Sequence, residues 1–191
     1  MFSPLVAREP RVSPVAAREA AFSPLASRTA GVEAAAGAAL RSGEAWPPPG
    51  VEGPARAWVG VVSYEHVKRG VAGGFAQLCH GRRAPLVRMA EGDWLVYYSP
   101  RVSLDAGGPL RAFTAIGRVK GGAAYAFDMG GGFVPFRRDV SYVPCEPAPL
   151  ARLAPALRFV REPGWGLKAR RGHFEIGLDD LRVIAAAMGA R

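Results

Sequence analysis

Bulky apolar side chains are shared out so unevenly along this chain that only its second part can build a core. Residues 1–55 hold 8 of the 17 prolines but just 3 of the 18 aromatic residues. A stretch with so few large apolar groups cannot offset its ordering entropy by burial, so it reads as a disordered, low-complexity arm. The arm carries a repeat of period ten: FSPLVARE from Phe2, VSPVAARE from Val12 and FSPLASRT from Phe22. That period is too short for a solenoid unit. Pro after Ser in each copy favours turn or extended chain over helix. VEAAAGAAL (32–40) is too short to hold a helix by itself, and WPPPG (46–50) reads as a stiff polyproline spacer. The start lacks the uninterrupted apolar stretch of a signal peptide, and five glutamates argue against a transit peptide. The arm is therefore expected to be an extension outside the domain, or a start placed too early.

Charge follows the same division. The chain of 191 residues has a formal net charge of +9; the arm contributes none of it, and residues 56–191 set 20 basic against 11 acidic side chains. Two cysteines, Cys79 and Cys145, are too few for a disulfide scaffold and lack metal-finger spacing. No apolar run approaches the ~18 residues of a membrane helix. These features predict a soluble, cytoplasmic protein with one domain over residues 56–191 and an acidic partner.

Within that domain the texture is mostly β. AWVGVVS (57–63) has the apolar run of a strand buried on both faces, and WLVYYSP (94–100) reads as a strand stopped by Pro100. YEHVKRGVAGG predicts one or two helical turns ended by Gly73-Gly74, and FAQLCHG (75–81) a short strand. LRAFTAIGRV alternates with a two-residue period, and two more strands are expected around the Gly130–Gly132 loop. Leucines at 150, 153 and 157 have helical spacing interrupted by Pro155. LDDLRVIAAAMG (178–189) is an amphipathic helix with Leu181, Ile184 and Met188 on one face. Short strands with few helices predict an α+β fold, a small barrel with helices packed at its rim.

Chemistry is sparse. Phosphate-binding loops, dinucleotide fingerprints, zinc-protease motifs and nucleophile elbows are all missing from the sequence. Cys79 beside His80 resembles a thiol couple, but neighbours on a strand face opposite ways, so Cys79 is expected to be core. A zinc site from the cysteines and histidines lacks local ligand spacing, and neither metal nor cofactor is expected. The positive signal is arginine, 22 of the 25 basic residues, recurring in the pairs Lys68-Arg69, Arg82-Arg83, Arg137-Arg138 and Arg170-Arg171. Aromatic residues near these pairs give the mixture of phosphate grips and stacking platforms that a nucleic-acid strand or an extruded base needs.

The motifs WVGVVSYEHVKRGV (58–71), GGFAQLCHG (73–81), GDWLVYYSP (92–100), LRAFTAIGRV (110–119), FVPFRRDV (133–140) and WGLKARRGHFEI (165–176) resemble the EVE domain. This is a PUA-like family related to YTH and ASCH domains, and the motifs span the whole folded part in order. The resemblance implies a PUA-like small mixed β-barrel with flanking helices, and a noncatalytic module that binds a modified nucleobase in DNA or RNA. Carried over by motif, the base pocket would draw on Trp58, Ser63, His66, Gln77, His80, Tyr97, Tyr98, Ser99, Trp165 and Phe174. Tyr97 and Tyr98 alternate, so one of them faces a given pocket. Lys68, Arg69, Arg82, Arg83, Arg170 and Arg171 are the candidate phosphate contacts. Leu167 and Ala169 stand where an aromatic residue is expected, which puts a complete aromatic cage from that segment in doubt. The rival readings are a nucleoside sensor, and an RNA-processing or base-modifying enzyme working through His66, Cys79 and His80.

Overall fold

The computed structural model describes residues 55–105 and 107–190, so the expected arm over 1–55, with its repeats and spacer, lies outside the described residues except for Ala55. The strands are β1 (Ala57–Val61), β2 (Phe75–Ala76), β3 (Trp94–Arg101), β4 (Pro109–Val119), β5 (Tyr125–Ala126), β6 (Phe136–Tyr142), β7 (Ala148–Pro149) and β8 (His173–Ile176). The helices are α1 (Tyr64–Gly73), α2 (Arg83–Arg88), α3 (Leu150–Leu153), α4 (Arg158–Arg161), α5 (Trp165–Arg170) and α6 (Leu178–Ala187). One sheet runs in the order β2-β6-β4-β3-β1-β8, with β5 added to β6 and β7 to β4. β1 and β3 are parallel, Val59 opposite Val96, while the other ladders among the described residues are antiparallel. The sheet curls into a half-barrel, so the fold is α+β, a mixed sheet with flanking helices.

Both faces of the sheet are covered, which is why β1 and β3 read as apolar runs instead of alternating strands. One face carries Val59, Trp94, Val96, Tyr98, Phe113 and Ile116 against the C-terminal segments, from Leu150 through Met188. The opposite face carries Trp58, Leu95, Tyr97 and Ala115 against Val67 of α1 and Leu86 of α2. Leu181 and Ile184 of the last helix and Met188 at its C-cap are buried together, as their spacing predicts.

Three local expectations change. β3 runs through Pro100 to Arg101, with a register shift between Ser99 and Arg101 that absorbs the missing amide. α1 extends over ten residues and ends at Gly74, whose left-handed backbone (φ 67) sends its N–H to Gly70 O and Val71 O. FAQLCHG is a strand only at Phe75–Ala76; Cys79–Gly81 forms a tight 3₁₀ turn with φ of 49 at Cys79, 58 at His80 and 80 at Gly81. Alternation arguments fail there, because left-handed residues have no strand faces.

Candidate functional site

Because β1 and β3 are parallel, both leave the sheet at the same end, and an open cavity of about 1000 Å³ lies there. Val61, Val62 and Ser63 enter it from the exit of β1, and His66 from the first turn of α1. Tyr98, Pro100 and Arg101 come from the end of β3, and Gln77 to Arg82, Leu78 excepted, from the 3₁₀ turn and its approach. Residues 169–172 close one side from the end of α5 and the turn into β8, and Phe133 closes another. Gly81 is required at this junction. Its φ of 80 disfavours a side chain, and a Cβ there would collide with Pro135.

The wall divides by burial and charge. Ser63, Gln77 and Tyr98 are buried, whereas Arg82, Arg101, Arg170 and Arg171 are exposed at the mouth with His80, Leu104 and Phe133. Among the described residues lining the cavity none is Asp or Glu. A neutral polar floor under an arginine rim suits a ligand that is uncharged at its tip and anionic along its sides.

Gln77 is held from several directions. Arg137 Nε donates to its Oε1 at 3.2 Å, and His66 Nε2 lies 3.1 Å from its carbonyl oxygen. A guanidinium only donates, so the amide oxygen is taken by Arg137 and the Gln77 NH₂ is the group left for a ligand. A carbonyl only accepts, so His66 carries its proton on Nε2 and Nδ1 remains an acceptor while the ring is neutral. Burial, reinforced by Arg69 and Arg137, lowers the His66 pKa despite that hydrogen bond, which favours the neutral ring. The Arg137 guanidinium lies 3.8 Å from the Phe75 ring centroid and 3.6 Å from that of Phe127. Stacked between two rings, it cannot swing away from Gln77 without losing both contacts.

Of the candidates taken from the sequence, the fold brings Ser63, His66, Gln77, His80 and Tyr98 to one wall, with Arg82, Arg170 and Arg171. The rest lie elsewhere. Trp58 is 1% exposed, donates from Nε1 to Asp93 Oδ2 at 2.8 Å and stacks on His173. Tyr97 is buried on the opposite face, where burial pushes its phenol up to about 12. Ser99 is fully buried against Thr114, their hydroxyl oxygens 2.8 Å apart. Phe174 packs on Phe159, and Trp165 sets its edge against Tyr98 at 6.3 Å, bracing that ring. Lys68 sits over the Tyr64 ring, Arg69 turns back to Glu65 O, and Arg83 is exposed on α2. The Arg137-Arg138 pair is internal: Arg138 Nη1 donates to Leu86 O and Met89 O.

Cys79 is not core. It is half-buried on the cavity wall, and its thiol lies 3.4 Å from Arg171 O. Burial raises its pKa, with Arg82 opposing only in part, so the thiol form is favoured. Among the described residues no three His, Cys, Asp or Glu side chains gather in a metal-binding group. Arg101, Leu104 and Phe133 were not among the sequence candidates. The signal for Phe133 was present as apolar residues flanking a glycine run, where a loop is ordinarily polar.

A curled mixed sheet with a neutral-floored, arginine-rimmed cavity at the exits of its parallel strands defines a pocket-bearing α+β module. Residues 56–187 match the EVE domain. UPF0310 protein YdcG of Bacillus subtilis is 53% identical over 133 residues, covering 69% of this chain and 91% of that protein. A UPF0310 protein of Streptococcus mutans is 47% identical over 135 residues, covering 69% and 95%. Among solved structures, the NMR structure of Rpa0253 from Rhodopseudomonas palustris aligns with a TM-score of 0.46 at 17% identity, over 70% of this chain and 93% of that one. The chain belongs to the EVE domain family. None of its described helices is long and apolar enough to cross a membrane.

Proposed function

We propose that the chain is a noncatalytic module that holds one modified base of a DNA or RNA strand in this cavity while the rim arginines grip the flanking phosphates. The observation that carries the reading is the pairing of a buried neutral floor (Ser63, Gln77, Tyr98) with an exposed rim of four arginines. Tyr98 supplies a ring for stacking, and Ser63, His66 and Gln77 offer fixed donors and acceptors to a base edge. The volume of about 1000 Å³ accommodates a base with its sugar and neighbouring phosphates. A binding role is supported by the state of the groups an enzyme would use: the Cys79 thiol is raised by burial, and His66 Nε2 is committed to Gln77 O.

The test is fluorescence anisotropy with oligonucleotides carrying 5-methylcytosine or 5-hydroxymethylcytosine against unmodified controls, at several salt concentrations. A preference that persists as salt rises is expected. Tyr98→Ala should lower affinity for the modified strand roughly tenfold, the scale of one lost base–aromatic stack, and erase the preference. Equal affinity for modified and unmodified strands at every salt concentration would reject the reading. A thermal shift with free nucleosides but no oligonucleotide binding would make the cavity a nucleoside sensor instead.

A further inference from the structure

The β5–β6 hairpin carries an apolar tip whose purpose the cavity does not explain. Phe127, Met129, Phe133 and Val134 are each between 43 and 50% exposed, a clustered patch on a segment of eight residues. The hairpin itself is built, not loose. Phe127 N–H donates to Pro135 O at 2.9 Å, Met129 N–H to Phe133 O at 3.0 Å, and Phe133 N–H to Gly130 O at 3.1 Å. Gly130, Gly131 and Gly132 take φ of 81, 60 and 81, and a Cβ added at any of them would meet nothing within 4 Å. Their glycine identity serves backbone shape alone: the glycine turn projects into open space, while Phe127 and Phe133 on either side of it touch the domain.

We propose that this tip is a wedge that enters the base stack of a nucleic-acid duplex beside the nucleotide extruded into the cavity. The inference rests on the functional reading above and adds the form of the partner, a duplex that must be opened. Continuity carries it first: Phe133 belongs both to the tip and to the cavity wall, so the patch begins where the extruded base would leave its stack. Chemistry carries it next. The vacated stack is an apolar slot between base pairs, and exposed Phe and Met side chains are the kind of group that fills one. Charge is divided between rim and tip. The arginines face phosphates around the cavity, while the tip's acidic residue, Asp128, folds its carboxylate back to accept the Gly130 N–H at 2.8 Å. The hairpin also reports to the floor, because Phe127 stacks on Arg137 and Arg137 holds the Gln77 amide.

The test compares the full chain with Met129→Ser/Val134→Ser, two exposed positions whose change leaves the hairpin hydrogen bonds in place. The probes are a duplex with one 5-hydroxymethylcytosine flanked by 2-aminopurine, and the same modified strand alone. The double variant is expected to lose at least tenfold in duplex affinity, together with the 2-aminopurine fluorescence increase, while single-strand affinity changes less than twofold. Equal losses on both probes, or an unchanged duplex affinity, would overturn the wedge and leave the cavity reading standing. A dimer of the wild-type chain that the variant dissolves, with duplex affinity unchanged, would assign the patch to self-association and also overturn it. If the wild-type chain shows no saturable binding to either probe, the cavity reading fails and takes the wedge with it.

Discussion

His173 is the sharpest conflict at the residue scale. It is 5% exposed on β8, both ring nitrogens lack a hydrogen-bond partner among the described residues, and its ring stacks on Trp58 at 4.8 Å, 12° from parallel. Trp58 is itself fixed by Asp93, a buried carboxylate that also accepts the Ala90 N–H at 2.8 Å and the Arg56 N–H at 3.0 Å. Burial, with Arg88 nearby, drives the His173 pKa down to about 4, so the folded state holds it neutral. The unfolded chain takes up a proton near pH 6.5 that the folded chain refuses until about pH 4. Stability is therefore lost as pH falls through that window, and His66, also shifted down, adds in the same direction. His173→Phe keeps the stack and removes the two unpartnered nitrogens, so at pH 7.5 it should be neutral or stabilising by about 1 kcal/mol. At pH 4.5 it should gain a further 2–3 kcal/mol or so over wild type. Urea unfolding at the two pH values measures this, and an identical acid loss in both proteins would refute it.

At the scale of elements, short helices on this domain are held by side chains from their neighbours. α4 has four residues and cannot stabilise itself. Asp180, 3% exposed in the first turn of α6, accepts the Arg158 N–H at 2.7 Å and the Phe159 N–H at 3.2 Å. Asp180→Ala would strand both donors and should cost about 2 kcal/mol in thermal or urea unfolding. The adjacent Asp179 is exposed and paired with Arg182 at 2.8 Å, so Asp179→Ala should stay within about 0.5 kcal/mol. Equal costs would show that the cap does nothing. The sequence pattern places both acids at the start of the last helix, where they are, but a partner 22 residues away leaves no local trace. The same boundary runs through the fold. β4, α1 and α6 were legible because burial imposes a period on them, and β1 and β3 because burial on both faces leaves unbroken apolar runs. The Cys79–Gly81 turn was not, because left-handed backbone has no period, and His80 and Cys79 reached the cavity by that route. Aromatic residues divided likewise: Tyr97 and Tyr98 had to part by alternation, but which face held the cavity depended on where α1 and α5 pack.

Across the whole molecule, the net charge of +9 includes arginines that are not free to grip a partner. Arg118 spends its guanidinium on Gly92 O, Arg138 on Leu86 O and Met89 O, and Arg137 on Gln77. What remains directed at one place is the cavity rim of Arg82, Arg101, Arg170 and Arg171. If each meets one phosphate of a single strand, four contacts give a slope of about −3 in log affinity against log salt. Arg170→Ala/Arg171→Ala should shrink that slope by about 1.4 and weaken modified and unmodified strands by the same factor. The preference for the modified base should survive, because Tyr98, Gln77 and Ser63 are untouched. Tyr98→Ala should do the reverse, losing the preference at an unchanged slope. Anisotropy titrations of both variants over 50–300 mM salt, roughly the range in which counterion release is read, separate the two contributions. If the arginine pair alters the preference but leaves the slope alone, those side chains touch the base and not the backbone, and the division between rim and floor is wrong.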